Sequence, residues 1–250
     1  ELAWQVMTQK YGMPANTAGE SGALNFVIIA YGKLGGIELN YGSDLDLVFM
    51  HDGHPDLETS GSEAGVRINS GAFYVQLGQK LLSLLNTHTV TGKLYEIDLR
   101  LRPSGSSGSL VCSCEAFSQY QREHAWTWEH QALVRARVVA GPASLGAEFE
   151  TIRAEVRAQR RAPDSLKQDI VSMRSRMRAQ LGSRASEQVF QLKHDSGGLV
   201  DIEFIVQYLV LAYGHEHKSL LRWSDNMRLL DEFAAADVLP AADALALQDT

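Results

Sequence analysis

The spacing of hydrophobic residues changes several times along the chain, and each change predicts an element. Leu2, Trp4, Val6 and Met7 mix with polar residues over 1–11 in a way that suits a lead-in helix. The small and turn-forming residues of 12–22 then read as a loop. Phe26, Val27, Ile28, Ile29 and Ala30 form a continuous apolar run ending at Gly32, which predicts a buried strand. A second strand follows, because Leu45, Leu47 and Phe49 alternate with Asp44, Asp46 and Val48. A period of two puts both acids on one face and the apolar residues on the other. Beyond a polar loop over 51–65, Phe73, Leu77, Leu81, Leu84 and Leu85 recur at helical spacing. A third strand is expected over 93–101, with Asp98, Arg100 and Arg102 on one face and Ile97, Leu99 and Leu101 on the other.

From Glu115 onward the pattern is helical and no further strand is expected. Helices are predicted over 198–213 and over 224–236, the latter capped by Ser224. Pro163 and Asp164 mark the expected break between two domains, since Pro ends a helix and Asp is a good N-cap. The organisation predicted is therefore α+β: a catalytic domain over 1–162, with a small mixed sheet and flanking helices, followed by an all-α helical domain over 163–250. The chain opens at Glu1 without an initiator Met and stops at Thr250 inside a helical pattern, so it reads as a piece of something longer.

Composition narrows the chemistry. With 250 residues, 27.5 kDa and 45% hydrophobic content the chain can bury a full core. A net charge of -7 and a pI near 5.6 argue against binding long nucleic acids through bulk basicity. Eight Arg and one Lys stand against three acids over 153–184, a run that reads as a solvated helix face. Cys112 and Cys114 lack the second pair of a structural zinc site and read as reduced, cytosolic thiols. No apolar run reaches the roughly 18 residues of a membrane span, and no signal segment opens the chain. His51 and His54 beside Asp52 and Asp56 read as an acidic loop, and Trp126 and Trp128 as core.

The stretch from Tyr31 to Phe49 carries most of the chemistry. Gly32, Gly35 and Gly36 let backbone approach a triphosphate, and Lys33 adds a point charge. Asp44 and Asp46, at i and i+2 on a strand, share hard cations such as magnesium. Asp98 is the expected third carboxylate, lining the same cleft as Arg100 and Arg102. The glycine turn is expected to lead into another strand without opening a helix, so it is not a dinucleotide-binding fingerprint. Lys33 lacks the following Ser or Thr of a P-loop.

Three blocks then carry a resemblance: Gly32-Lys-Leu-Gly-Gly36 through Asp44-Leu-Asp46, Tyr95-Glu-Ile-Asp98 through Arg102-Pro-Ser-Gly105, and Gly197-Gly-Leu-Val-Asp-Ile-Glu-Phe204. Over nearly its whole length the chain closely resembles the glutamine synthetase adenylyltransferase family, a branch of the polymerase-beta-like nucleotidyltransferase superfamily. The superfamily motif usually carries Gly-Ser or Gly-Gly where this chain has Gly32-Lys33. The family enzyme is bifunctional, one half attaching AMP to a tyrosine of glutamine synthetase and the other removing it by phosphorolysis. The block from Glu123 to Arg137 resembles the attaching, C-terminal half.

The resemblance implies in-line transfer of AMP from ATP with two Mg2+ ions, Mn2+ being able to substitute. Asp44, Asp46 and Asp98 would hold the ions, with Gly32, Lys33, Gly36, Ser43, Arg100 and Arg102 at the phosphates. It also implies a PII-type nitrogen signal protein as regulator and a cytoplasmic location. For Asp201 and Glu203 the reading is a helix-start hydrogen-bonding cluster that docks the helical domain. The alternatives are the removing half of the same enzyme and an inert nucleotide-sensing module; the latter would be expected to have lost one of the three acids.

Overall fold

The computed structural model describes residues 1–88, 90, 92–93, 95–183 and 189–249. The described elements form a mixed α/β fold with a small mixed sheet and ten helices, divided into two compact units. The first comprises Glu1–His124 and Ala136–Ile152, the second Ala125–Arg135 and Arg153–Thr250. Among the described residues no helix is long and apolar enough to cross a membrane.

In the first unit, α1 (Leu2–Tyr11) leads to β1 (Phe26–Ala30), the one-turn α2 (Gly32–Gly35), β2 (Leu45–His51) and α3 (Ser70–Leu85). Next come β3 (Ile97–Asp98), β4 (Val111–Ser113), α4 (Cys114–Glu123) and β5 (Arg137–Ala140). The strand order is β3-β2-β1-β5, with β4 also paired to β2. β1 runs antiparallel to β2 and β5, whereas β3 and β4 run parallel to β2, at Leu45–Asp46 and at Phe49–His51 respectively. Phe26, Ala30, Leu47 and Phe49 pack with Ala3 and Met7 of α1 and Phe73, Tyr74 and Leu77 of α3. Their neighbours Val27, Ile29, Val48 and Met50 are equally buried, so both sheet faces are covered, and that explains the unbroken apolar run of β1.

Three features of the sheet differ from the sequence expectation, the first being β4, a three-residue strand that pairs with β2 and was not expected. β5 is a strand where only helix was expected, because Arg137, Val138 and Ala140 gain a ladder from β1, a partner about 110 residues earlier that no local pattern reveals. The third strand keeps only two of its predicted residues. The Asp98 carboxylate accepts the backbone N–H of Arg100 (2.8 Å), a side-chain turn that bends the chain out of the ladder. Leu94, within the predicted strand, lies outside the described residues.

His51 closes β2 as a buried residue, not as part of a loop. Its ring stacks on Tyr74 at 4.9 Å, its Nδ1 accepts the Gly53 N–H, and burial lowers its pKa to about 4. Both cysteines are free thiols, and burial pushes the Cys112 pKa up to about 12.

The described elements of the second unit are helices. They are α5 (Thr127–Val134), the last turn of α6 (Ala143–Arg157), α7 (Pro163–Leu181), α8 (Leu199–Tyr213), α9 (Asn226–Ala235) and α10 (Ala241–Gln248). Val134, Leu166, Ile170, Val206, Val210, Leu229 and Phe233 form their core. The division falls after Ile152, ten residues before the predicted break, and the reason is two arginines. Arg153 donates to the carbonyls of Leu133 (2.9 Å), Val134 (2.9 Å) and Trp223 (3.0 Å), and Arg157 to those of Trp223 (3.4 Å) and Leu221. These bonds tie the end of α6 and the 125–135 segment to the helices.

The predicted solvated arginine face is thus corrected at its start: Arg153 and Arg157 are 1% and 0% exposed. Arg184, at its end, lies outside the described residues. Pro163 is the first residue of α7 with Ala162 as its N-cap, so Asp164 is a first-turn acid and not the cap. Likewise α9 is capped by Asp225, whose carboxylate accepts the Arg228 N–H (3.0 Å), in place of Ser224. Trp126 and Trp128, expected in the core, are 70% and 38% exposed.

Candidate functional site

The glycine turn and the acids meet where β1 ends and β2 begins. The chain does wind into a helix here, contrary to expectation, but only for one turn: Gly35 N–H donates to Tyr31 O (3.0 Å) and Gly36 N–H to Gly32 O (2.9 Å). The turn is locked to β2 because Tyr31 N–H donates to the Asp46 carbonyl (2.9 Å). Gly32 has φ +55°, and a Cβ placed there would lie 2.3 Å from Asp46 Oδ2. Only glycine allows a carboxylate to lie this close to the backbone.

Asp98 comes from a distant part of the chain, yet register delivers it to Asp46. In the parallel β2–β3 pair, Leu45 stands opposite Ile97 and Asp46 opposite Asp98, and Leu45 N–H donates to the Glu96 carbonyl (2.8 Å). Glu96, the neighbouring acid, is exposed and paired with Lys93 at 2.6 Å. Asp44 is exposed just ahead of the first residue of β2.

Arg100 supplies the countercharge. Its Nε donates to both Asp98 oxygens (3.0 and 2.8 Å), its Nη2 to Oδ2. That hydrogen bond, above all, holds the Asp98 carboxyl below the usual carboxylate range. The Arg100 pKa is raised in turn, mainly by the same bond, with Asp46 and Asp44 adding to it. A single guanidinium, its side chain 81% exposed, therefore feels all three carboxylates.

Arg102 and Ser43 are engaged elsewhere. Arg102 Nη1 donates to Leu99 O (2.8 Å), Nη2 to Ser106 O (3.1 Å) and Nε to Gly108 O (3.4 Å), so its fork closes the loop after β3 and does not share a strand face with Asp98 and Arg100. Arg102→Ala is accordingly expected to lower stability by about 1–3 kcal/mol through loss of the three side-chain bonds that close this loop. Thermal unfolding checks it: an unchanged melting temperature with a raised KM would return Arg102 to the phosphates. Ser43 is buried, its Oγ donating to Asn40 Oδ1 (2.7 Å) and accepting the Asn40 N–H (3.2 Å). Asn40, which the sequence reading left out, shapes the loop into the acids; its signal was an Asn three residues before a Ser in a turn-rich stretch. Lys33 lies half-buried on α2 and Gly36 is buried at its end.

In the second unit, Asp201 accepts from Arg174 and from Gly197 N–H (2.6 Å), while Glu203 pairs with Arg135 (2.9 Å). Both acids are engaged at the start of α8, as the hydrogen-bonding reading expects.

Asp44, Asp46 and Asp98 are the donor set that a hard divalent cation takes, three carboxylates with compensating positive charge nearby. Among the described residues no three His, Cys, Asp or Glu side chains are gathered closely enough to hold an ion as they stand. Asp98 is turned onto Arg100, so a cation held by Asp98 competes with Arg100 for the same oxygens. The fit is one of donor chemistry and strand register.

A small mixed sheet with acids at the head of β2 and a glycine turn beside them is consistent with a nucleotidyltransferase-like domain. Residues 1–152 match the family model described as Glutamate-ammonia ligase adenylyltransferase, and the chain belongs to that family. Relatives named bifunctional glutamine synthetase adenylyltransferase/adenylyl-removing enzyme share 48% identity with it. In Pseudomonas putida the match runs over 259 residues, 99% of this chain and 26% of the relative. In Pseudomonas aeruginosa it covers 100% of this chain and 26% of the relative. In Hahella chejuensis it covers 99% and 26%. The chain thus spans about a quarter of the length of these relatives.

Proposed function

We propose that this chain is the adenylyl-transferring part of such an enzyme: a polymerase-beta-like nucleotidyltransferase unit, followed by an all-helical domain, that moves AMP from ATP to a tyrosine hydroxyl of glutamine synthetase and releases pyrophosphate. The observation that carries the reading is the register of Asp46 against Asp98, beside the glycine that lies under Asp46. Asp44, Asp46 and Asp98 would hold two Mg2+ ions, which when bound lower the cost of deprotonating the hydroxyl and neutralise the leaving pyrophosphate. The residues themselves bind and orient. Gly32 and Gly36, lacking side chains, let the triphosphate come close, Lys33 adds charge there, and Arg100 would turn from Asp98 to a phosphate oxygen when a cation takes its place. A PII-type protein is the regulator that the reading implies, and the cytoplasm its location.

The removing reaction, phosphorolysis of the tyrosyl-AMP bond, uses the same donor set, so substrate supply decides between the two. The chain is incubated with labelled ATP and unmodified glutamine synthetase, and separately with adenylylated glutamine synthetase and phosphate. Label transfer in the first arm is expected; AMP release as ADP in the second arm alone would reassign the chain to the removing half, and neither would make it a non-catalytic module. Chelation should abolish transfer and Mn2+ restore it, since Mn2+ accepts the same oxygen ligands. Full turnover in excess chelator would overturn the role given to the three acids.

A further inference from the structure

We infer that Arg137, outside every block of acids and glycines, is a positioning residue that holds the nucleotide turn in shape. The inference rests on the proposed reaction for its functional half and on geometry for the rest. Arg137 opens β5 directly opposite Ala30, the last residue of β1. From there its side chain reaches the next residues of that chain: Nε donates to Gly35 O (3.1 Å) and Nη2 to Leu34 O (2.9 Å). These carbonyls are the last two of α2, beyond its regular i to i+4 ladder, and Leu34 O otherwise accepts a long bond from Ile37 N–H (3.4 Å). A planar fork donating from two nitrogens fixes both at once, which a Lys point charge does not.

At its start the turn is tied to β2 by Tyr31 N–H, and at its end the Arg137 fork is the tie from β5. Three of the five residues from Gly32 to Gly36 are glycines, the residues with the most backbone freedom to lose. Immediately after it Ile37 adopts φ +62°, a left-handed conformation rare for a β-branched residue, while the residue is 59% exposed and so finds little packing to offset that cost. A strained, glycine-rich single turn persists when its surroundings over-determine it, and the Arg137 fork provides that restraint from the neighbouring strand. Because the same turn begins at Gly32, against Asp46 Oδ2, its shape also sets the gap between backbone and acid. Arg137 lies in the block from Glu123 to Arg137 that the sequence supplies only as a resemblance; its contact with α2, 102 and 103 residues earlier, appears only in three dimensions.

The test compares wild type, Arg137→Met and Arg137→Lys in the whole chain by amide exchange, thermal unfolding, ATP binding and steady-state transfer. In Arg137→Met the amides of Gly35, Gly36 and Glu38, which bond to Tyr31, Gly32 and Lys33 carbonyls, should exchange at least tenfold faster, with β1 and β2 amides unchanged. KM for ATP and the ATP dissociation constant should rise about tenfold while kcat stays within about threefold, since the acids are untouched. Arg137→Lys should fall between the two.

Unchanged exchange at these amides overturns the inference. So does faster exchange throughout the sheet with a lowered melting temperature, the mark of a merely structural residue, and so does faster local exchange with ATP binding unaltered. A wild-type chain that neither binds ATP nor transfers AMP would overturn the proposed function itself, and the exchange arm would then decide alone whether Arg137 holds the turn.

Discussion

Asp46→Asn is expected to abolish AMP transfer, leaving less than about one-thousandth of wild-type turnover, with circular dichroism and melting temperature unchanged. The size of the effect follows from placement. Asp46 is the acid at which the turn, β2 and β3 converge: Gly32 lies against its carboxylate, Tyr31 N–H bonds its carbonyl, and Asp98 stands opposite it in the ladder. An amide of the same shape keeps the packing but removes the negative charge that a divalent cation requires. Asp98→Ala should cost a comparable factor in kcat and less in ATP binding, because Asp98 completes the set on the second strand. Glu96→Ala is the control. That side chain is exposed and pairs only on the surface with Lys93, a contact worth about 1 kcal/mol or less. Retention of a tenth or more of turnover by Asp46→Asn would refute the assignment of the site. Loss of transfer in Glu96→Ala with near-normal Asp98→Ala would move the third carboxylate to Glu96.

The second large effect concerns folding and has no need of the proposed chemistry. Arg157→Met should destabilise the protein by about 3 kcal/mol or more, lowering the melting temperature by roughly 6–12 °C. Arg157 is fully buried and donates to the carbonyls of Leu221 and Trp223, with a further bond from Nε to Arg153 O (3.3 Å). Methionine fills much of the volume but cannot donate, so the Leu221 carbonyl loses this donor and the Trp223 carbonyl is left to Arg153. Arg160→Met, three residues on and exposed, should change stability by no more than about 0.5 kcal/mol. Equal melting temperatures for the two variants would show that the buried fork contributes nothing beyond its apolar stem. The comparison also tests the unit boundary, because Arg153 and Arg157 bond the end of α6 to carbonyls of the second unit.

The sequence by itself determined the parts of this protein whose causes are local. The glycine turn and the Asp44–Asp46 pair were legible because a strand's period of two and the absence of a Cβ act over a few residues. β1 was legible from its unbroken apolar run, and β2, α1, α3 and α8 from local apolar patterning. Tertiary structure decided what depends on a remote partner. Asp98 was singled out from alternation over a nine-residue strand, but only two of those residues are paired, and what puts Asp98 beside Asp46 is the register of β3 on β2. Arg102 shared that supposed face and is instead folded onto Leu99, Ser106 and Gly108, because the chain leaves the ladder once Asp98 accepts the Arg100 N–H. β5, the burial of Arg153 and Arg157, and the hold of Arg137 on α2 left no periodic trace, since an arginine that donates to distant carbonyls has the same local pattern as one in solvent. Burial of a charged fork is fixed by which carbonyls the fold leaves without donors, and that is settled only when segments far apart in the chain have come together.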